Sequence, residues 1–188
     1  MTGPQVPAAG PPGAPFDASA AVRELADRAA LGDLVRAYAS GCDRRDPAAV
    51  TATFTEDGRL AKCADPSGTG PATVEWRGRP AIAGVIAGLD RYAVTTHFLG
   101  QQAVAVDGDR ATGETYCMAH HHYVHDGAWF DRVMAIRYFD HYRRAGGRWL
   151  IEDRRLVVDW VAYRPVGDPA MAPPWSVEQD AASRRPIP

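Results

Sequence analysis

Three side chains in this sequence could together carry out acid–base chemistry: Asp43, His97 and His121. Histidine is the side chain whose ordinary pKa lies closest to neutral pH, and a neighbouring carboxylate fixes its tautomer and raises its basicity. An aspartate paired with a histidine in an apolar pocket is therefore a suitable general base. A second histidine in the same pocket could deliver or relay the proton.

Each of these residues also has a simpler interpretation. Asp43 stands in the segment Cys-Asp-Arg-Arg-Asp, where Arg44 or Arg45 could neutralise a solvated carboxylate. His97 could be a core histidine that binds a backbone carbonyl. Whether these residues form a site or have these simpler roles depends on the helices and strands that position their side chains.

The histidines around His121 fall on two faces of one predicted strand. Side chains alternate along a strand, so His121 shares a face with small residues and with Cys117, which suits a pocket wall. His120 and His122 lie on the opposite face, and two histidines at that spacing could both reach one metal ion. No acidic residue or further histidine has a matching spacing, so we expect no metal and keep a His120/His122 metal enzyme only as an alternative.

Apolar positions at steps of three and four residues predict the helices. A long amphipathic helix covers Ala20–Cys42 with Ser19 as its N-cap, which places Asp43 at its C-terminal end. Asp46 followed by Pro47 predicts a second helix that runs to Phe54. A third helix is predicted from Pro80 to Leu89.

After residue 94 the hydrophobic pattern changes to a period of two, which indicates strands. The predicted strands are Thr95–Val106, Arg110–His125, Trp129–Arg143 and Arg148–Tyr163, with shorter ones at Arg59–Cys63 and Thr73–Arg77. Short glycine-containing connections favour antiparallel hairpins. The expected architecture is an α+β fold, in which a curved antiparallel sheet carries the N-terminal helices on its concave face and encloses one pocket.

The chain length of 188 residues is typical of one domain. We expect a disordered lead over residues 1–16, a folded domain over 17–164 and a proline-rich tail over 165–188. Met171 and Trp175 give the tail apolar surface, so the tail could close over the pocket as a lid, pack on a neighbouring subunit or stay unstructured.

Composition excludes several classes of partner. The net charge of −2, from 21 basic and 23 acidic residues, gives no general attraction to nucleic acid. No apolar run approaches the roughly 20 residues that span a bilayer, and the proline-broken N-terminus does not suit a signal peptide. Three cysteines without CxxC spacing fit a reducing compartment, so we expect a cytoplasmic protein.

The order of several short motifs resembles the SnoaL-like family of the nuclear transport factor 2-like superfamily. The motifs are Leu25–Leu31, Tyr38, Cys42–Asp46, Phe54, Asp57, Thr95–Gly100, Gly147–Trp149 and Val158–Trp160. The family includes scytalone dehydratase, bile acid 7α-dehydratase, the lindane dehydrochlorinase and polyketide cyclases. The resemblance implies a cone-shaped fold with a single pocket.

The resemblance also implies roles for the three candidate residues. Asp43 and His97 match the aspartate–histidine pair of the dehydratases and the dehydrochlorinase, and His121 matches a second histidine in scytalone dehydratase. The tyrosine that precedes the aspartate in scytalone dehydratase is Cys42 here, and a second expected tyrosine falls near Ala61 or Lys62, which argues against scytalone itself as the substrate.

Together these features predict a cofactor-independent dehydratase, isomerase or cyclase of secondary metabolism, acting on a hydrophobic polycyclic, steroid-like, polyketide or terpenoid substrate. The predicted apolar wall consists of Tyr38, Phe54, Trp76, Met134, Tyr138 and Trp160. Large residues on the outer face of the sheet, such as Tyr116, predict a homodimer or homotrimer. The main alternative is a non-catalytic ligand-binding or partner subunit, which would resemble the small subunit of a ring-hydroxylating dioxygenase and would hold Asp43 and His97 apart.

Overall fold

Side-chain caps set the ends of the first two helices. In the computed structural model, which describes residues 17–168, helix α1 covers Ala18–Arg44 and α2 covers Pro47–Ala52. The α1 N-cap is Asp17 and not the predicted Ser19, because the Asp17 carboxylate accepts hydrogen bonds from the first backbone N–H groups of the helix. Asp46 caps α2 as predicted, accepting from the Ala49 N–H at 2.9 Å.

Helix α2 ends two residues before the predicted position. Phe54 instead begins strand β1, which covers Phe54–Cys63, because the chain here pairs with a distant strand through a hydrogen bond from the Ile151 N–H to the Thr53 carbonyl. Residues 56–58 form an irregular stretch inside β1, where the register with that strand shifts.

The remaining elements follow the predicted order with small shifts at their ends. They are β2 (Ala72–Arg77), α3 (Gly78–Ala87), a 3-10 turn (Gly88–Arg91), β3 (Val94–Asp107), β4 (Arg110–His125), β5 (Ala128–Ala145) and β6 (Arg148–Pro165). The six strands form one sheet in the order β2-β1-β6-β5-β4-β3.

All strand pairs in this sheet are antiparallel except one. Strands β3 to β6 form consecutive hairpins, as the glycine-containing connections predict. The β1–β6 pair is parallel, because β1 and β6 are joined through all the intervening elements rather than through a tight turn. The curved sheet and the N-terminal helices form the predicted α+β fold.

Helix α1 packs its apolar side against the sheet. Leu31, Val35, Tyr38 and Cys42 are buried at steps of three and four residues. On β4, the residues that share a face with His121 are buried, namely Thr115, Cys117 and Ala119. This packing leaves the last turn of α1, with Asp43, beside the start of β3.

The predicted lead over residues 1–16 and the tail residues Met171 and Trp175 lie outside the described residues. No helix between residues 17 and 168 is long and apolar enough to cross a membrane.

Candidate active site

Asp43 binds His97 through both of its carboxylate oxygens. His97 Nδ1 lies 2.6 Å from Oδ1, and the His97 backbone N–H donates to Oδ2 at 2.9 Å. The side chain of His97 is only 8% exposed and that of Asp43 is 28% exposed. No arginine within the described part of the chain pairs with Asp43, and Arg45 instead donates to the Tyr92 carbonyl. The carboxylate is therefore held by the histidine rather than neutralised by its neighbours.

His121 lies on the same wall as His97, one strand away. The two ring centroids are 5.7 Å apart, and the ring of Tyr92 is 4.7 Å from that of His121. Burial lowers the pKa of His121 to about 4, and the nearby charge of a protonated His97 acts in the same direction. At neutral pH His121 is therefore an uncharged imidazole.

Both histidines line a cavity between the sheet and the helices, with a volume of about 140 Å³. Such a volume is close to that of an apolar cavity that holds one benzene ring. The apolar lining residues are Tyr38, Cys42, Leu60, Trp76, Val85, Ile86, Leu89, Met134, Ile136, Tyr138, Leu156 and Val158. The cavity wall is therefore mostly apolar, with two imidazoles among its polar groups.

Four of the six predicted wall residues line this cavity: Tyr38, Trp76, Met134 and Tyr138. Phe54 does not, because it is fully buried behind Tyr38, with ring centroids 6.0 Å apart in an edge-to-face contact.

Trp160 does not line the cavity either, because β6 contains a register shift. Trp160 pairs with Ala135, whereas Val158 pairs with Ile136, so that Asp159 is the extra residue of a bulge. Ile136 faces the cavity, so its neighbour Ala135 and the paired Trp160 face the other way. Trp160 is half exposed on the outer face of the sheet.

Four polar residues of the cavity wall were missed in the sequence: Lys62, Arg91, Tyr92 and Arg132. Arg132 could have been found from strand alternation, because it has the same parity as Met134 and Tyr138 on β5. Arg91 is the last residue of a 3-10 turn and Tyr92 is the residue after it. No hydrophobic periodicity marks the inward side of such a segment.

Beneath the cavity, Arg154 forms a fully buried ion pair with Asp140 at 2.7 Å. Its guanidinium lies 4.1 Å from the Tyr38 ring centroid and 4.4 Å from that of Tyr138. The Tyr142 hydroxyl donates to the same carboxylate at 2.7 Å. This cluster fixes the two aromatic rings that form the floor of the cavity.

His120 and His122 face away from the cavity, as alternation predicts. The nearest oxygens of Asp131 lie 2.8 Å from His120 Nδ1 and 3.7 Å from His122 Nε2, and Arg164 donates to the same carboxylate. No group of three or more His, Cys, Asp or Glu residues in positions 17–168 is arranged to hold a metal ion.

This arrangement is suited to removing a proton. In the neutral tautomer of His97 that donates Nδ1–H to Asp43, Nε2 is the nitrogen with a free lone pair, and it is the atom available to a ligand in the cavity. The imidazolium that forms is stabilised by the same carboxylate.

Comparison with known protein families agrees with this fold. The SnoaL-like domain family matches residues 23–155, which include Asp43, His97 and His121. The chain belongs to the SnoaL-like family. No curated protein sequence matches it.

Several solved structures share the fold. A scytalone dehydratase-like protein from Novosphingobium aromaticivorans has a TM-score of 0.66 at 20% identity, covering 78% of this chain and 93% of its own. The hexachlorocyclohexane dehydrochlorinase type 3 of Novosphingobium barchaimii has a TM-score of 0.65 at 18% identity, covering 82% and 99%. A nuclear transport factor 2-like protein with a cystatin-like fold, also from N. aromaticivorans, has a TM-score of 0.59 at 28% identity, covering 75% and 87%. In this SnoaL-like chain, Asp43 and His97 lie within hydrogen-bonding distance, so the separation expected of a non-catalytic subunit is absent.

Proposed function

We propose that this SnoaL-like protein is a cofactor-independent acid–base enzyme, in which His97 removes a proton next to a carbonyl or another activating group. The observation that supports this most strongly is the double contact of His97 with Asp43 at the wall of an enclosed apolar cavity. Fixed orientation and a partner for the imidazolium are the two properties that a histidine base needs.

The elimination of water is the reaction that we favour, with isomerisation and cyclisation as variants of the same first step. His97 Nε2 takes the proton from carbon, and the electron pair left behind forms the new double bond as the hydroxyl leaves. The proton then reaches the departing hydroxyl, so that water is released. Two structural neighbours, named as a dehydratase-like protein and a dehydrochlorinase, support elimination.

His121 acts as a relay in this proposal. Because its pKa is about 4, it does not store a proton at neutral pH before the reaction. A neutral imidazole can accept a proton at one nitrogen while it donates from the other, so His121 can carry the proton from His97 to the leaving group. Its Nδ1 is buried without a hydrogen-bond partner among the described residues.

The substrate that we propose is hydrophobic, with at least one ring. The aromatic wall suits the flat rings of a polyketide, terpenoid or steroid-like compound. An enclosed volume of about 140 Å³ holds the reacting ring, and any further rings of a polycyclic substrate would extend toward the cavity mouth. The three free, buried cysteines support a reducing compartment such as the cytoplasm.

Replacing Asp43 tests the base. A panel of cyclic β-hydroxy ketones is incubated with the protein in heavy water, and loss of water and uptake of deuterium at carbon are measured by mass spectrometry. The Asp43→Asn variant should lower the rate by about 10²–10⁴-fold, because general acid–base catalysis contributes on that scale. Asp33→Asn is a matched control on the same helix, since Asp33 is exposed and, among residues 17–168, binds only Arg36. A wild-type rate in Asp43→Asn would overturn the proposal.

A further inference from the structure

We propose, taking this cavity as the active site, that its ligand carries a carboxylate and that Arg132 binds it. The substrate would then be a ring-bearing carboxylic acid rather than a neutral hydrocarbon-like compound. Three features of the cavity support this: its charge, the unused hydrogen-bonding capacity of Arg132 and the position of Arg132 beside His121.

The cavity wall is positively charged although the whole chain has a net charge of −2. Lys62, Arg91 and Arg132 line it, and none of its described lining residues is an aspartate or a glutamate. Asp43 lies behind His97 and is not a lining residue. Lys62 and Arg91 are exposed and Arg132 is half-buried. Positive charge in a wall without acidic residues favours an anionic ligand over a neutral one of the same shape.

Arg132 has hydrogen-bonding capacity that no other described group uses. Its Nη1 donates to the Tyr92 hydroxyl at 3.1 Å, but its Nε is buried without a partner, and no carboxylate within residues 17–168 forms an ion pair with it. By contrast, Arg137 on the same strand binds Asp159. A buried charged donor without an acceptor is costly, and a planar carboxylate satisfies a guanidinium through two parallel hydrogen bonds.

The register of the sheet places Arg132 next to the candidate relay. Arg132 and His121 are paired residues on adjacent strands and face the same cavity, and Tyr92 contacts both side chains. A carboxylate on Arg132 would therefore lie beside His121, while the ring of the ligand would extend over the apolar floor toward His97.

A binding experiment tests this without any assay of turnover. Calorimetric titrations at pH 7 compare benzoate with benzamide, and 2-naphthoate with 2-naphthamide, because each pair has the same shape and differs in charge. In wild type we expect each acid to bind about 10- to 100-fold more tightly than its amide, the range given by charge-assisted hydrogen bonds. Equal affinities, or no binding of either acid, would overturn the proposal.

Variants show whether Arg132 is responsible. Arg132→Gln should remove the preference for the acid, and Arg132→Lys, which keeps the charge without the planar fork, should keep part of it. Arg110→Gln is the control, since Arg110 is exposed and binds Glu152 at the surface. If Arg132→Gln fails to fold, Arg132→Lys provides the test. A preference of Arg132→Lys for the acid over its amide that equals the wild-type preference would contradict the role of the guanidinium. Asp43→Asn should still bind the acid, because Asp43 does not line the cavity. Failure of the proposed base would therefore appear in turnover, and failure of the proposed carboxylate site would appear in binding.

Discussion

His121 has the most strongly perturbed environment of the candidate catalytic residues. It is buried, and Tyr92, His97 and Arg132 surround it from the 3-10 turn region, β3 and β5. Burial and the positive charges of a protonated His97 and of Arg132 all disfavour its protonation. The surroundings of His121 in the cavity therefore keep it neutral at pH 7. A carboxylate bound beside it would favour the protonated form and raise its pKa.

The lowered pKa of His121 predicts a loss of stability in mild acid. The unfolded chain binds a proton at this histidine near pH 6.5, whereas the folded protein binds it only near pH 4. As pH falls between these values the unfolded state gains the proton first, so the free energy of unfolding should decrease, by about 3 kcal/mol at pH 4 from this residue. Above pH 6.5 both states are neutral and the effect vanishes.

Denaturant unfolding at pH 7 and at pH 4.5 measures this contribution. His121→Gln should lose less stability between the two pH values than wild type does. His125→Gln is the control, because the side chain of His125 is largely exposed. Equal pH dependence in wild type and His121→Gln would show that the cavity does not disfavour the charged imidazole.

The residues of the site differ in how readily the sequence predicts them. The closeness of Asp43, His97 and His121 could be predicted because two are placed by strand alternation and one by the end of a long helix. The predicted N-cap Ser19 was wrong because Asp17 offers a carboxylate two residues earlier. The interaction of Arg132 with Tyr92 joins a strand to a segment next to a 3-10 turn, and no local pattern encodes that contact.

Two helices meet just before Asp43, and their closeness depends on a glycine. Gly41 lies in α1, and a Cβ atom there would approach Val50 Cγ2 of α2 to 2.7 Å. Real side chains do not come so close, so the helices can pack in this way only if residue 41 has no side chain. The contact sets how closely α2 packs against the C-terminal end of α1, which carries Asp43.

Gly41→Ala should destabilise the protein by about 1–3 kcal/mol, because the added methyl group overfills the contact between α1 and α2. Gly84→Ala is a matched control within α3. A Cβ atom at Gly84 would meet no other atom within 4 Å, so this variant should stabilise the protein by about 0.5–1 kcal/mol through helix propensity. Thermal and denaturant unfolding measure both effects. A neutral or stabilising Gly41→Ala would contradict the packing described for this corner.

The sequence predicts the hairpins of the sheet better than its irregularities. Strands β3 to β6 follow from a period of two and glycine-containing turns, and each predicted range lies within the observed strand. The bulge at Asp159 leaves no comparable signal, and the prediction that Trp160 lines the cavity was wrong. The parallel pairing of β1 with β6 begins at Phe54 and joins residues about a hundred positions apart. It depends on the topology of the whole sheet, so no local pattern in the sequence predicts it.

The two faces of the sheet have different chemistry. The concave face carries the charged cavity, whereas an apolar row crosses the outer face. The strand registers place Phe98 beside Met118, Met118 beside Ala135, and Ala135 beside Trp160. Phe98 is 69% exposed and Trp160 is 50% exposed. Exposed apolar surface of this kind, continuous over four strands, is typical of a face that binds another protein.

We propose that this outer row is where two or three copies of the chain associate, as the large outward-facing residues of the sequence predict. Trp160→Glu should shift the protein to the monomer, because a charge buried in an apolar interface has no partner. Analytical ultracentrifugation measures the change. Protein concentrations of about 10–100 µM suit a homodimer that dissociates in the micromolar range. Tyr163→Glu is the control: Tyr163 is also exposed, but it pairs with Arg132 and so lies on the cavity face of β6. A wild-type protein that sediments as a monomer throughout, or a Trp160→Glu variant that stays assembled, would show that the apolar row is not the contact between copies.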